Sequence, residues 1–121
     1  MNFYQCEDCG NIAGLITDNG GKLTCCDKQM AKLEANVMEG SKEKHIPVAV
    51  KEDDMLKVSV GASPHKMLPE HYTYWVAVTT EDRDEFVYLK PGMVPEATFP
   101  YLGKGTVYAY CNVHGLWKSE I

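Results

Sequence analysis

The sequence lacks the features that would place it in a membrane or on a nucleic acid. Its longest apolar runs, such as residues 75–78, have only the length of a strand, whereas a membrane-spanning helix needs roughly 20 such residues. Positive charge is in deficit, with 12 Lys and Arg against 17 Asp and Glu and a formal net charge of -5 over 121 residues. Because polyanions and anionic lipids repel such a chain, we expect no nucleic acid and no membrane as a partner.

Signs of export are also lacking. Residues 1–6 contain neither a basic segment nor a long apolar core, so they do not resemble a signal peptide, and we expect a cytoplasmic location. The chain has five cysteines, an odd number. A disulfide framework is therefore not expected, and metal binding or redox chemistry is the better interpretation of the cysteines.

Helical periodicity of useful length is absent, and the apolar pattern predicts an all-β chain. From about residue 37 onwards, segments rich in alternating or β-branched residues are separated by turn signals. We predict strands at residues 56–60, 72–79, 86–89 and 105–111. Short strands at this spacing are typical of an antiparallel sandwich or barrel.

Two domains are predicted, residues 1–36 and residues 37–121. The first contains few large apolar residues and is too small to be held by a hydrophobic core, so it needs a metal or disulfides. Within it, the turn signal at residues 19–21, Asn-Gly-Gly, predicts a hairpin between strands at residues 12–17 and 22–26.

Four of the five cysteines lie within the first 26 residues and predict a sulfur-rich metal site. Cys6 and Cys9 form a C-x2-C knuckle followed by Gly10, a turn that aims two thiolates at one point. Cys25 and Cys26 are adjacent, and neighbouring side chains on extended backbone point to opposite sides. We therefore expect the backbone to bend at this pair if all four thiolates bind one ion. Four thiolates suit zinc and iron equally, so the ligands leave the metal open.

The histidines and the last cysteine predict a second, nitrogen-rich site. Its candidate ligands are His45, His65, His71, Cys111 and His114. All fall at predicted strand ends or in loops, where binding residues gather. One thiolate and four imidazoles exceed the four ligands that zinc normally takes, and no Met follows His114 to serve as the weak ligand of a blue-copper centre. Five donors on iron leave one octahedral position where a small molecule can bind.

These motifs resemble those of the desulfoferrodoxin family over nearly the whole chain. The matching segments are residues 3–12 and 25–26 for the family's N-terminal domain, and residues 43–48, 61–75 and 111–117 for its superoxide reductase domain. The chain departs from the family pattern at Lys66, where the family has Pro, and at Asp27, where it usually has Gly. Neither departure replaces a ligand.

The resemblance implies a fold, a reaction and two iron centres. The family joins a small desulforedoxin-like domain to an immunoglobulin-like β-sandwich, forms homodimers, and reduces superoxide to hydrogen peroxide with one electron and two protons. Transferred by position, the first iron is bound by Cys6, Cys9, Cys25 and Cys26. The second is bound by four equatorial histidines and an axial cysteine, namely His45, His65, His71, His114 and Cys111. Rubredoxin is the implied electron donor.

Two residues beside His45 are expected to act on the substrate. The resemblance assigns Glu43 to the sixth position of the ferric resting form. Lys44 is the best candidate to strengthen the local positive field, because a chain with a net charge of -5 otherwise repels the superoxide anion. Without the resemblance, an ordinary solvated residue is the alternative interpretation at both positions.

The residues alone are compatible with two other functions. The chain could be a rubredoxin-like electron carrier, in which both irons only shuttle electrons, or a zinc-stabilised binding module. The number of histidine donors favours the enzyme, because an electron carrier does not need an open coordination position. Zinc in place of iron is also possible in the sulfur site.

Overall fold

In this computed structural model, which describes residues 1–37, 45–61 and 66–121, the elements of regular structure are β-strands. The all-β prediction is therefore confirmed. The described residues contain no helix long and apolar enough to cross a membrane. They form two units, Met1–Glu34 and Ala35–Ile121, and the division lies close to the predicted boundary after residue 36.

The first unit consists of five short strands: β1 (Phe3–Gln5), β2 (Ile12–Gly14), β3 (Thr24–Cys25), β4 (Lys28–Gln29) and β5 (Ala31–Lys32). β1 lies between β2 and β5 in an antiparallel sheet, and β3 pairs with β4 alone. Within residues 1–34, all of which are described, the buried side chains are those of Phe3, Cys6 and Met30. So small a core agrees with the expectation that a metal holds this unit together.

The hairpin predicted between residues 12–17 and 22–26 is wrong. The turn chemistry itself is present, because Gly20 has a φ of +84° and its N–H donates to Asp18 Oδ1 at 2.9 Å. However, β2 pairs with β1, and β3 pairs with β4. β3 turns back at once because Cys26 and Asp27 both adopt positive φ, which forms a two-residue hairpin loop.

The second unit is a sandwich of two antiparallel sheets. Its strands are β6 (Pro47–Glu52), β7 (Met55–Val60), β8 (Thr73–Thr80), β9 (Asp84–Tyr88), β10 (Glu96–Pro100), β11 (Gly105–Cys111) and β12 (Gly115–Glu120). One sheet has the order β10-β7-β6 and the other the order β12-β11-β8-β9. Three strands facing four, all paired antiparallel, is the arrangement of an immunoglobulin-like sandwich, as the resemblance implied.

The hydrophobic core lies between these two sheets. Val58 on β7, Val76 on β8 and Val107 on β11 are fully buried, and Phe99 on β10 is 2% exposed. Along β7 the buried residues alternate with exposed ones, which is the period-two pattern that the sequence shows at residues 56–60. This core fixes the sheets against each other and so fixes the strand ends from which the candidate ligands project.

One end of the sandwich collects the nitrogen-rich candidates. His45 lies just before β6 and His71 just before β8, while Cys111 is the last residue of β11 and His114 lies in the loop to β12. β8 and β11 are antiparallel neighbours, and Cys111 is paired with Thr73. The beginning of β8 therefore meets the end of β11, which brings residues far apart in sequence to one edge.

Candidate metal centres

The first pair of cysteines is held by a tight turn at the end of β1. The N–H of Cys6 donates to the carbonyl of Asn11, and the N–H of Gly10 donates to the carbonyl of Cys6, both at 2.9 Å. Gly10 has a φ of +82°, a conformation that costs other residues more than glycine. The turn folds Cys9 back toward Cys6, as the C-x2-C spacing predicts.

The second pair lies in the hairpin between β3 and β4. Cys26 has a φ of 54° and Asp27 a φ of 61°, so both loop residues are left-handed, as in a type I′ turn. This is the bend expected at Cys25 and Cys26, and it lets two adjacent thiols face one point. Asp27 stands where such turns favour Gly, and aspartate is one of the few other residues that tolerate this conformation.

The four thiols form one compact group. Their sulfur atoms lie within 4.8 Å of one another, and Cys25 Sγ is 3.6 Å from Cys9 Sγ and 3.9 Å from Cys26 Sγ. Four sulfurs in a tetrahedron, each about 2.3 Å from a central ion, lie about 3.8 Å apart. The group therefore fits a single tetrahedral ion.

The ionisation of these thiols also favours a cation. A hydrogen bond from the backbone N–H of Cys9 lowers the pKa of Cys6 to about 7. Hydrogen bonds with the Cys9 and Cys6 thiols raise the pKa of Cys25 to about 12, and those with Cys6 and Cys9 also raise the pKa of Cys26. Four thiolates at this spacing cannot coexist near neutral pH unless a bound cation offsets their charge.

A three-residue loop brings Cys111 and His114 together. Cys111 and Gly115 are paired across the β11–β12 hairpin, and Gly115 has a φ of +83°, the left-handed position that closes such loops. Cys111 is buried and His114 is exposed. The loop thus presents a thiol from the interior and an imidazole from the solvent side.

His71 belongs to a second tight turn. The N–H of Leu68 donates to the carbonyl of His71, and the N–H of His71 donates to the carbonyl of Leu68, both at 3.0 Å. Desolvation by burial lowers the pKa of His71, and the positive charge of nearby Lys66 lowers it further. Lys66, one of the two departures from the family pattern, therefore helps to keep His71 neutral, which is the form that binds a metal.

His45 completes the described part of the second group. Ligand atoms of His45, His71, Cys111 and His114 lie within 4.8 Å of one another. His45 Nε2 is 2.9 Å from His114 Nδ1. Two nitrogens at right angles around one ion, each about 2.1 Å away, lie about 3.0 Å apart, against about 3.4 Å for tetrahedral partners. The two nitrogens are close enough to bind one ion, and without an ion the separation allows a hydrogen bond between the rings.

Three predicted site residues lie outside the described residues. They are Glu43, Lys44 and His65. Within the described residues the second group therefore contains three histidines and a cysteine. The fourth equatorial histidine and the two substrate residues stay predictions.

Two further residues contact the second group. The indole ring of Trp117 stacks on His45, with ring centres 4.9 Å apart and planes at 18°, and its Nε1–H donates to the carbonyl of His114 at 3.1 Å. Asn112 contacts the backbone beside His71 through its side-chain amide. The sequence motif at residues 111–117 contains both residues, but it assigns them no role. An asparagine inside a tight turn is a signal for such backbone contacts.

The comparisons with known proteins agree with this arrangement. Residues 37–120 match the family model described as desulfoferrodoxin, and residues 1–33 match the model of the desulfoferrodoxin N-terminal domain. The chain is 41% identical over 121 residues to a desulfoferrodoxin of Clostridium acetobutylicum, covering 100% of this chain and 97% of that protein. It is 35% identical over 99 residues to a superoxide reductase of Thermococcus kodakarensis, covering 65% of this chain and 86% of that one.

A solved structure extends the similarity to three dimensions. The superoxide reductase of Treponema pallidum superposes with a TM-score of 0.77 at 30% sequence identity, covering 98% of this chain and 95% of that one. The two family models together span nearly the whole chain, and the cysteine and histidine groups lie within the matched segments. The chain therefore belongs to the desulfoferrodoxin family.

Proposed function

We propose that this protein is a superoxide reductase with two iron centres, one in each candidate metal group. The observation that carries the proposal is the second group, in which three imidazoles and one thiol converge at an end of the sandwich. His114 is exposed and Cys111 is buried, so a small anion can approach from the histidine side while the thiolate lies behind. Membership of a family that includes proteins named superoxide reductase supports the same reaction.

The donor set suits a redox ion that also binds substrate. Iron held by His45, His71, Cys111 and His114 would supply the one electron with which superoxide and two protons give hydrogen peroxide. With neutral imidazoles and a single thiolate as ligands, a ferrous ion would have a local charge of about +1, which would attract the anion although the whole chain carries -5. The Cys111 thiolate would donate electron density to the bound metal, as thiolates do in some haem enzymes.

Glu43 and Lys44 belong to this proposal as substrate residues. They are the two residues before His45 in the sequence, and His45 is a member of the described group. Lys44 would attract superoxide and stabilise it at the open position. Glu43 would occupy that position when no substrate is bound. His65 would be the fourth equatorial ligand.

The sulfur group is proposed as an electron-transfer centre. Four thiolates can hold iron or zinc, and only iron there could pass an electron. We further propose rubredoxin as the donor, a homodimer as the assembly and the cytoplasm as the compartment, since the family resemblance implies the first two. The five cysteines form no disulfide, which suits a reducing compartment.

Metal analysis and product stoichiometry together test the proposal. Purified protein should hold two irons per chain and show thiolate-to-iron absorption when oxidised, whereas a protein holding only zinc would be colourless. Prereduced protein should yield one hydrogen peroxide for each superoxide consumed and release no dioxygen. Cys111→Ser should remove the absorption of the second centre and leave that of the first. Full activity and an unchanged spectrum in Cys111→Ser would refute the axial assignment, and peroxide formation by neither protein would favour the electron carrier.

A further inference from the structure

The side chain of Asn112 connects the two turns that carry candidate ligands of the second centre. Its Oδ1 accepts a hydrogen bond from the N–H of Tyr72 at 3.0 Å. Its Nδ2 donates to the carbonyl of Glu70 at 3.0 Å. Glu70 and Tyr72 are the residues on either side of His71, so one amide holds the backbone both before and after this histidine.

The same residue belongs to the loop of the other ligands. Asn112 follows Cys111 directly and lies two residues before His114, and its own N–H contacts the carbonyl of Tyr72 at 3.4 Å. The paired strands below bring the two turns near each other, but strand pairing ends at Cys111 and Thr73. Beyond that point, the Asn112 contacts join the turn of His71 to the loop of Cys111 and His114.

The chemistry of the contact requires an amide. An asparagine side chain offers an acceptor oxygen and a donor nitrogen, and both are used here. Aspartate keeps the acceptor for the Tyr72 N–H, but as a carboxylate it has no hydrogen to donate to Glu70. Alanine keeps neither contact. The two substitutions therefore separate the two hydrogen bonds.

We propose that Asn112 is a positioning residue, which sets the place of His71 relative to Cys111 and His114 and so tunes the affinity and geometry of the second metal centre. The inference rests on the metal centre of the proposed function, but not on its reaction with superoxide. Partners that orient metal ligands typically change metal affinity by about 10–100-fold when they are removed. A change of that size is expected for Asn112→Ala.

The test compares Asn112→Ala and Asn112→Asp with the control Asn36→Ala in iron-loaded protein. Asn36 lies in the same unit, and its Nδ2 also donates to a backbone carbonyl, that of Leu116 at 3.2 Å. Competition with an iron chelator, followed by the thiolate-to-iron absorption, measures retention at each centre. Electron paramagnetic resonance of the ferric second centre reports its symmetry. Urea unfolding of the metal-free proteins measures stability separately.

Asn112→Ala should lose iron from the second centre about 10–100-fold more readily than the wild type and change its resonance. Asn112→Asp should also lose iron more readily than the wild type, because its carboxylate cannot donate to the Glu70 carbonyl. Asn36→Ala should match the wild type at both centres. Equal iron retention in Asn112→Ala and Asn36→Ala would overturn the proposal. A loss of iron from both centres that follows a loss of stability in urea would also overturn it, because Asn112 would then be merely structural.

The metal-free protein gives a readout that does not depend on iron. The Tyr72 amide should exchange its hydrogen faster in Asn112→Ala than in Asn112→Asp, which keeps the acceptor. Equal exchange rates of the Tyr72 amide in the two variants would overturn the proposal. This outcome does not depend on whether the second group holds a metal. Failure of superoxide reduction, with the expected differences in iron retention intact, would count against the proposed function alone.

Discussion

Replacing Cys9 by serine should unfold the first unit while the second stays folded. The structure gives the magnitude. Among residues 1–34, Phe3 and Met30 are the large buried side chains outside the cysteine group, and each contributes about 1.5–3 kcal/mol. Structural sites of this kind contribute on the order of 10 kcal/mol or more at pH 7. A domain of this size rarely folds without such help. The free energy lost with one of the four thiolates therefore exceeds the folding stability of the first unit.

Amide hydrogen exchange with a visible spectrum measures this effect. In Cys9→Ser, protection should be lost in β1 and β2 but kept in β7 and β11, and the absorption of the second centre should persist. Thr24→Ser, an exposed change beside the other cysteine pair of the same metal group, is the control and should leave all protection unchanged. Protected β1 amides in metal-free Cys9→Ser would refute the argument from core size. Loss of metal from the second centre would refute the independence of the units.

Three further changes test the second unit. Trp117→Phe keeps a ring against His45 but loses the indole hydrogen bond, so iron retention in chelator competition should fall about fivefold. Trp117→Leu also loses the ring stacking, and its iron retention should fall about 25-fold. Equal iron retention in the two variants would contradict this prediction. Gly115→Ala should lower the free energy of unfolding in urea by about 1–2 kcal/mol, because Gly115 has a φ of +83°. The cost comes from the backbone, since no described atom beyond the chain neighbours lies within 4 Å of the added carbon. An unchanged unfolding midpoint would show that the loop relaxes. Lys44→Ala should slow the reaction with superoxide about tenfold in pulse radiolysis and flatten its salt dependence, whereas the exposed Lys104→Ala should do neither.

The sequence predicted four strands of the second unit, β7, β8, β9 and β11. The alternation at residues 56–60 and the β-rich run at 105–111 correspond to β7 and β11, because a strand with one buried face must alternate. β6, β10 and β12 were not predicted. β10 ends at Pro100, a residue that counts against a strand in a sequence pattern.

The first unit shows where local signals mislead. The turn at Gly20 forms as its residues require, yet the strands on either side pair with other partners. Turn chemistry is a property of a few adjacent residues, whereas pairing in so small a unit depends on how the cysteines converge. The bend at Cys25 and Cys26 was predictable for that reason, because no straight strand lets both thiols face one ion.

The sequence by itself determined which atoms could serve as ligands. Cysteine and histidine supply thiolate and imidazole wherever they stand, and the tight spacings of Cys6 with Cys9 and of Cys111 with His114 already restrict each pair to one turn. The family resemblance already grouped His45 and His71 with Cys111, but the tertiary structure shows how they meet. Antiparallel pairing of β8 and β11 brings the start of β8, and with it His71, to the end of β11, and His45 joins them from the start of β6. The tertiary structure also decided the contacts of Trp117 and Asn112 with the second group. Stacking and hydrogen bonds between separate loops depend on distances that no local pattern of residues contains.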